Sequence, residues 1–246
     1  MKVAILFAVW PYAAVAILVL GLVGRWLLMK RRPASGSQPL PAPARRASRA
    51  VWLLLIVAHA TGILLPGAVL AWNALAWRLY LLEGLGFLVG LAALIVCAMA
   101  AWRGFVPLEH GPRTLQRASY PGARPPRSAA AEIADAAFYS VLLTGVVSGL
   151  MLAVLYRWGS SWAAVTLTPY VTSVAHGAPQ TEFVADMPFL VRLHVFTAFA
   201  ALALFPFTSA ALAALATILS GRRVFGLRRG LSGAVERWRA DASRRT

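Results

Sequence analysis

The 246-residue chain is poor in acidic side chains and has one cysteine, Cys97. A single cysteine cannot form a disulfide within the chain, and it cannot supply the four thiolates that an iron–sulfur cluster requires. No Cys-x-x-Cys-His segment is present, which excludes covalent attachment of a c-type haem. The sequence also lacks the glycine-rich phosphate loops of the GxGxxG and Walker types. Any iron–sulfur centre that works with this chain must therefore belong to a partner.

Basic residues outnumber acidic ones by 24 to 8, which gives a net charge of +16. They are grouped beside apolar segments: Lys30, Arg31, Arg32, Arg45, Arg46 and Arg49; then Arg103, Arg113, Arg117, Arg124 and Arg127; then Arg222, Arg223, Arg228, Arg229, Arg237, Arg239, Arg244 and Arg245. The two intervening loops hold little more than Arg78 and Arg157. This alternation follows the positive-inside rule, and it predicts an outer amino terminus and a cytoplasmic carboxyl terminus. Because each basic group adjoins an apolar segment, a nucleic-acid partner is not expected.

Hydrophobic residues make up 60% of the chain, which is typical of a polytopic membrane protein. The apolar runs predict an all-α integral membrane protein with five transmembrane helices near 3–29, 50–72, 84–102, 131–156 and 188–219. Residues 1–219 are thus expected to form one transmembrane domain, and 220–246 a basic cytoplasmic tail. The first run is followed by basic residues rather than a small-residue cleavage site, so it is not expected to be a cleaved signal peptide. The sparsely charged, aromatic segment 157–187 is predicted to lie along the outer interface.

Two histidines, His59 and His194, lie inside apolar segments. The second span is expected to end or kink near Pro66, seven residues after His59 (66 − 59), and the fifth to start near Pro188, six residues before His194 (194 − 188). At about 1.5 Å per helical residue, both imidazoles are expected roughly 10 Å below the outer surface. Ionisable side chains within a span are functional-site candidates, and neutral imidazole is an axial ligand of haem iron. The pair therefore predicts one b-type haem; the alternative is that each histidine only hydrogen-bonds across helices.

Other residues near these histidines have two interpretations each. Arg192 either pairs with a haem propionate or snorkels to the interface. Gly84, Gly86 and Gly90, with Gly145 and Gly149, either pack helices closely or leave room for a macrocycle.

Several stretches resemble the gamma subunit of respiratory nitrate reductase, the membrane cytochrome b that anchors a cytoplasmic molybdenum and iron–sulfur pair. They are WPY at 10–12, VAHATGILLPG at 57–67, HGAPQTEFVADMPFLVRLH at 176–194 and FPF at 205–207. The resemblance covers nearly the whole chain and implies five spans in the bacterial inner (cytoplasmic) membrane. It also implies that His59 and His194 are ligands of the haem nearer the outer face.

The same family usually carries a second haem, and here the sequence departs from its pattern. The expected ligand positions, about ten residues before His59 and about eighteen after His194, are occupied by Arg49 and Leu212. One haem b is therefore expected. Its distance from a cytoplasmic cluster, across much of a core about 30 Å thick, leaves the electron path and the side of the redox partner open.

In the resembling family a quinol is oxidised beside this haem, and the oxidation needs a proton acceptor close to the ring hydroxyls. Glu83, at the outer start of the third span, is the predicted acceptor, with a solvated helix start as the alternative. The family tends to have a basic residue there. Asp186 is a weaker candidate and is more simply explained as the end of a loop.

Together these features predict a membrane-anchor cytochrome b subunit that exchanges electrons between quinol or quinone and partner redox subunits of iron–sulfur and molybdenum type. The chain is expected to be a redox subunit that does not act on the terminal substrate by itself. One alternative is a cytochrome b of a sulfur-metabolism or heterodisulfide-reductase-like complex. Another, of a different class, is a haem-free structural membrane anchor; a small-molecule transporter is disfavoured because no repeat symmetry is present. The tail is expected to contact either a partner or anionic lipid.

Overall fold

The protein is all-helical in the computed structural model, which describes residues 2–31, 42–105, 129–156, 158–212 and 214–215. The helices are α1 (Lys2–Arg31), α2 (Ala42–Leu64), α3 (Pro66–Trp72), α4 (Ala76–Phe105), α5 (Ala129–Leu155), α6 (Gly159–Ala175), α7 (Glu182–Ala185) and α8 (Phe189–Leu204), followed by a 3-10 turn (Phe205–Phe207). The predicted tail at 220–246 lies outside the described residues.

Four helices in the described ranges are long and apolar enough to cross a membrane: Val3–Leu28, Ala76–Ala100, Ala130–Leu155 and Phe189–Phe207. A fifth span is formed if α2 and α3 count as one broken segment. By helix composition this is a multi-pass membrane protein. Leucines such as Leu20 and Leu64, 71% and 74% exposed, cover the outer faces of the bundle, as expected of side chains that face lipid.

The predicted second span, 50–72, is not one straight helix. Ser48–Leu64 and Pro66–Trp72 meet at 99°, so the last seven residues turn aside. Pro66 is the cause, because a proline disfavours helical geometry in the residue before it, and Leu65 has left the helical region at φ −129° and ψ 49°. In the fifth predicted span, α8 gives way to the 3-10 turn around Pro206.

The packing order places α5 at the centre of the bundle, against α4 on one side and α8 on the other, while α1 packs on α8 and α2 on α4. The segment predicted as an interface loop forms the helix α6, which lies against α2 and α3. A small core of Phe7, Tyr170, Val184 and Val195 closes this end of the bundle. We call it the α6 end.

Two side-chain hydroxyls of helix α6 donate hydrogen bonds to backbone carbonyls of other helices. Each of these carbonyls lacks its usual helical N–H donor because the residue four positions later is a proline. Pro11 has no N–H for the carbonyl of Phe7, four residues earlier, and the Tyr170 hydroxyl donates to that carbonyl at 2.8 Å. Burial, with a smaller effect of Tyr12, raises the pKa of Tyr170, so the phenol remains a donor. Pro66 leaves the carbonyl of Gly62 free in the same way, and Thr168 Oγ1 donates to it at 3.1 Å. Two hydroxyls on one helix thus tie it to α1 and α2.

Candidate functional site

His59 on α2 and His194 on α8 face each other near the α6 end. Their ring centroids are 6.2 Å apart and their planes are inclined by 27°. His59 lies five residues before the end of α2 (64 − 59), and His194 lies five residues after the start of α8 (194 − 189). The two antiparallel helices therefore present the imidazoles at the same level.

Hydrogen bonds fix the tautomer of both rings. His59 Nδ1 lies 2.8 Å from the carbonyl of Leu55, and His194 Nδ1 lies 2.9 Å from the carbonyl of Gly145. Because a carbonyl can only accept, each Nδ1 carries the proton and donates it. Nε2 of each ring is then the nitrogen with a free lone pair, which is the protonation state of a metal-ligating histidine.

The separation of the rings fits one metal ion between them. Metal–imidazole nitrogen bonds are about 2.0–2.1 Å long and a ring centre lies about 1.1 Å from each ring atom, so two imidazoles on opposite sides of a metal have centres about 6.3 Å apart. The observed 6.2 Å matches this value. Among the described residues no group of three or more His, Cys, Asp and Glu side chains could hold a metal. Two neutral imidazoles at this separation suit a haem iron, whose remaining ligands are the nitrogens of the porphyrin.

The glycines named in the sequence differ in how closely other helices approach them. A Cβ at Gly149 would lie 2.9 Å from His194 Cε1, and one at Gly145 would lie 3.2 Å from Thr197 Oγ1, so these two allow close packing of α8. By contrast, no described atom would lie within 4 Å of a Cβ at Gly84 or Gly86. The glycines of α5 thus allow α8 to approach closely, and Gly90 of α4 packs against Leu150 of α5, where a Cβ would lie 2.8 Å from Cδ2.

In the described part of the chain, α2 packs on α4 and α6, and α8 packs on α1 and α5, but α2 and α8 do not form a packed pair. Their histidine rings nevertheless meet. The two helices are thus separated while their imidazoles approach each other. A planar macrocycle bound between the helices requires this arrangement.

Arg192 lies two residues before His194 in the first turn of α8. Its Nη1 reaches the carbonyl of Ala185 at 3.5 Å, and within the described residues its Nε is buried without a hydrogen-bond partner. A buried guanidinium N–H needs an acceptor. The structure thus leaves Arg192 with donor capacity for an anionic group such as a propionate.

Glu83 has a structural role that the sequence did not indicate. Its Oε1 accepts hydrogen bonds from the backbone N–H and the hydroxyl of Ser160, at 2.7 and 2.6 Å. Asn73 Nδ2 donates to the hydroxyls of Ser160 and Ser161 in the same cluster, at 2.9 and 2.8 Å. Because the first N–H groups of a helix lack partners, Glu83 caps α6 from another helix, which also suits the helix dipole.

The remaining residues have simple structural surroundings. Asp186 is the residue that ends α7. His176 is exposed at the end of α6, where its Nδ1 lies 2.7 Å from the carbonyl of Thr172. The positions at which a second pair of ligands would be expected hold Arg49, which is exposed, and Leu212, which is 45% exposed and follows the 3-10 turn. At that turn Pro206 lies so close to α1 that a Cβ at Gly21 would be 2.6 Å from its Cβ.

Sequence reasoning missed Ser148, whose hydroxyl oxygen lies 3.2 Å from His194 Nδ1. The signal was present, since Ser148 stands between Gly145 and Gly149, but a serine in an apolar helix most often bonds to its own helix.

Comparison with known proteins supports the resemblance noted in the sequence. The model of the nitrate reductase gamma subunit family matches residues 122–218, which include α5, α6 and α8 with His194. No curated protein matches the chain. Members of that family are haem b cytochromes that work with nitrate reductase subunits.

Proposed function

We propose that this membrane chain, whose residues 122–218 belong to the nitrate reductase gamma subunit family, is the cytochrome b subunit of a multi-subunit oxidoreductase. The observation that carries the proposal is the pair His59 and His194, with ring centroids 6.2 Å apart and both Nδ1 atoms bonded to carbonyls. The free lone pairs on both Nε2 atoms suit them as axial ligands of one b-type haem. A haem held there supplies a one-electron carrier between a quinol and the partner subunits.

Each residue of the site has a defined task in this proposal. Leu55 and Gly145 hold the two imidazoles through their carbonyls, which fixes ring orientation and increases ligand basicity. Arg192 would donate its free Nε–H to a propionate.

We infer a single haem. Neither Arg49 nor Leu212 can act as an axial ligand, since the leucine has no donor atom and the guanidinium stays protonated.

The distribution of arginines orients the chain in the bacterial inner membrane with its amino terminus and the α6 end outside. The haem then lies in the outer half of the bilayer, and the basic loops and tail face cytoplasmic partners of iron–sulfur and molybdenum type. A cytochrome b of a sulfur-metabolism or heterodisulfide-reductase-like complex would have the same site, with different partners.

The experiment that tests the proposal is a reduced-minus-oxidised spectrum of the purified chain, with a pyridine haemochrome count. We expect one b haem per chain. Two haems would contradict the assignment at Arg49 and Leu212, and none in a folded preparation would leave a structural anchor.

Glu83 is the proposed proton acceptor for the quinol. Its Oε1 is engaged with Ser160, so Oε2 is the oxygen available for a proton. Glu83→Gln retains an oxygen that can cap α6 but removes the base, and we expect it to lower the rate of quinol oxidation by about 10²-fold or more, since general base catalysis contributes about 10²–10⁴-fold.

Thermal melting of the same variant provides the control. Glu83→Gln is expected to melt close to the wild type, whereas Glu83→Ala should lower both the rate and the melting temperature, because it also leaves the Ser160 N–H without its acceptor. A Glu83→Gln variant with full activity would reduce Glu83 to a helix cap.

A further inference from the structure

Three residues of α5 form the surface against which the imidazole of His194 lies. Gly145, Ser148 and Gly149 stand at positions i, i+3 and i+4, so they share one face of the helix. Ser148 is 2% exposed, and the turn of α8 that carries Thr197 packs on the same face beside Gly145. We call these three residues the α5 seat.

The α5 seat makes a hydrogen-bonded triangle with the ring. His194 Nδ1 lies 2.9 Å from the carbonyl of Gly145 and 3.2 Å from Ser148 Oγ, and Ser148 Oγ in turn lies 2.9 Å from the same carbonyl. The Ser148 hydroxyl donates to the carbonyl, so its lone pair is directed to the Nδ1 proton. His59 differs, because its Nδ1 is bonded within its own helix, to Leu55.

The α5 seat also limits the rotation of the ring. A Cβ at Gly149 would lie 2.9 Å from His194 Cε1 and 3.3 Å from its Nδ1. An imidazole is rigid, so the clash with a methyl group at position 149 can be relieved only by turning or displacing the whole ring. The imidazole of His194 can therefore adopt its observed orientation only because residue 149 is a glycine.

We propose that the α5 seat positions the His194 imidazole and thereby sets the reduction potential of the haem, an inference that rests on the proposed function. Donation from Nδ1 increases the basicity of the ligating nitrogen and favours ferric iron over ferrous iron. Ser148 adds a second acceptor to this donation. The residues of helix α5 thus adjust the reduction potential of the haem through one of the two histidines, His194.

The test uses the full chain with its haem, in membranes, with Ser148→Ala and Gly149→Ala compared with two matched controls. Ser140→Ala removes a hydroxyl from the same helix that bonds to Ala136 at 2.8 Å. Gly90→Ala introduces a comparable contact, since a Cβ there would lie 2.8 Å from Leu150 Cδ2, in the interface of α4 with α5. Three quantities are measured for each variant: the haem count, the midpoint potential, and the low-spin ferric EPR spectrum, which depends on the angle between the two imidazole planes.

Ser148→Ala is expected to retain its haem and to raise the midpoint potential enough to change the ratio of oxidised to reduced haem at fixed ambient potential by about three- to tenfold, where tenfold corresponds to about 59 mV for one electron. Gly149→Ala is expected to shift the EPR spectrum, and both controls to leave potential and spectrum unchanged. If Gly149→Ala does not fold, the midpoint potential of Ser148→Ala alone decides whether the proposal holds.

A potential in Ser148→Ala that moves no further than in Ser140→Ala overturns the proposal while the haem site stands. A wild-type chain without haem overturns the proposed function and this inference together. The haem count therefore separates the two failures.

Discussion

His194→Ala and His59→Ala are each expected to abolish haem binding while the helical bundle stays folded. Loss of an outer-shell partner of a metal ligand already costs about 10–100-fold in affinity, so removal of a ligand itself should exceed that range. The facing rings, 6.2 Å apart, leave the haem with one protein ligand in either variant. The pyridine haemochrome count of the purified variants, at equal helical content by circular dichroism, gives the result.

His176→Ala is the matched control for His59→Ala. Both histidines are exposed and lie near the end of a helix, and both bond through Nδ1 to the carbonyl four residues earlier, at 2.7 and 2.8 Å. They differ in that His59 faces another imidazole. We expect His176→Ala to keep a full haem complement.

Added imidazole sharpens the experiment. The alanine variants leave a space the size of the lost ring, and free imidazole that enters it should restore a low-spin b-type spectrum. A His59→Ala chain that keeps its haem without added imidazole would contradict the ligand assignment.

The level of the two histidines could be predicted from the sequence because it depends on local signals. Pro66 and Pro188 mark where α2 and α8 end or begin, and counting residues from each proline gives the depth of His59 and His194. In the structure the centroids of the two rings are 6.2 Å apart. Their role as ligands remains a prediction.

Contacts between residues far apart in the chain could not be predicted in this way. Glu83 and Ser160 are 77 positions apart, and Tyr170 and Phe7 are 163 apart. The sequence shows that Pro11 and Pro66 each leave a carbonyl free, but not which side chain donates to it. Likewise Pro66 indicates a break in the second span, but not the angle of 99° or that α3 packs against α6.

Tyr170→Phe is expected to destabilise the protein by about 1–3 kcal/mol, because it leaves the buried carbonyl of Phe7 without a donor. The carbonyl of Phe7 depends on the Tyr170 hydroxyl only because Pro11 has no N–H to donate to it. In a Pro11→Ala background the N–H of residue 11 is available to the carbonyl of Phe7, and the cost of Tyr170→Phe should fall below about 1 kcal/mol. Unfolding of the four chains in mixed micelles completes a double-mutant cycle, which isolates this coupling.

Tyr12→Phe is the control for the chemistry of the substitution. The Tyr12 hydroxyl donates to the carbonyl of Val174 at 3.0 Å, but that carbonyl also accepts from the N–H of Gly177 at 3.1 Å. Since the carbonyl keeps a donor, Tyr12→Phe should change the free energy of unfolding by no more than about 0.5 kcal/mol. If Tyr170→Phe costs the same with Pro11 as with alanine, the hydroxyl does not compensate for the proline, and the attachment of α6 to α1 rests on the packing of the Tyr170 ring against Phe7.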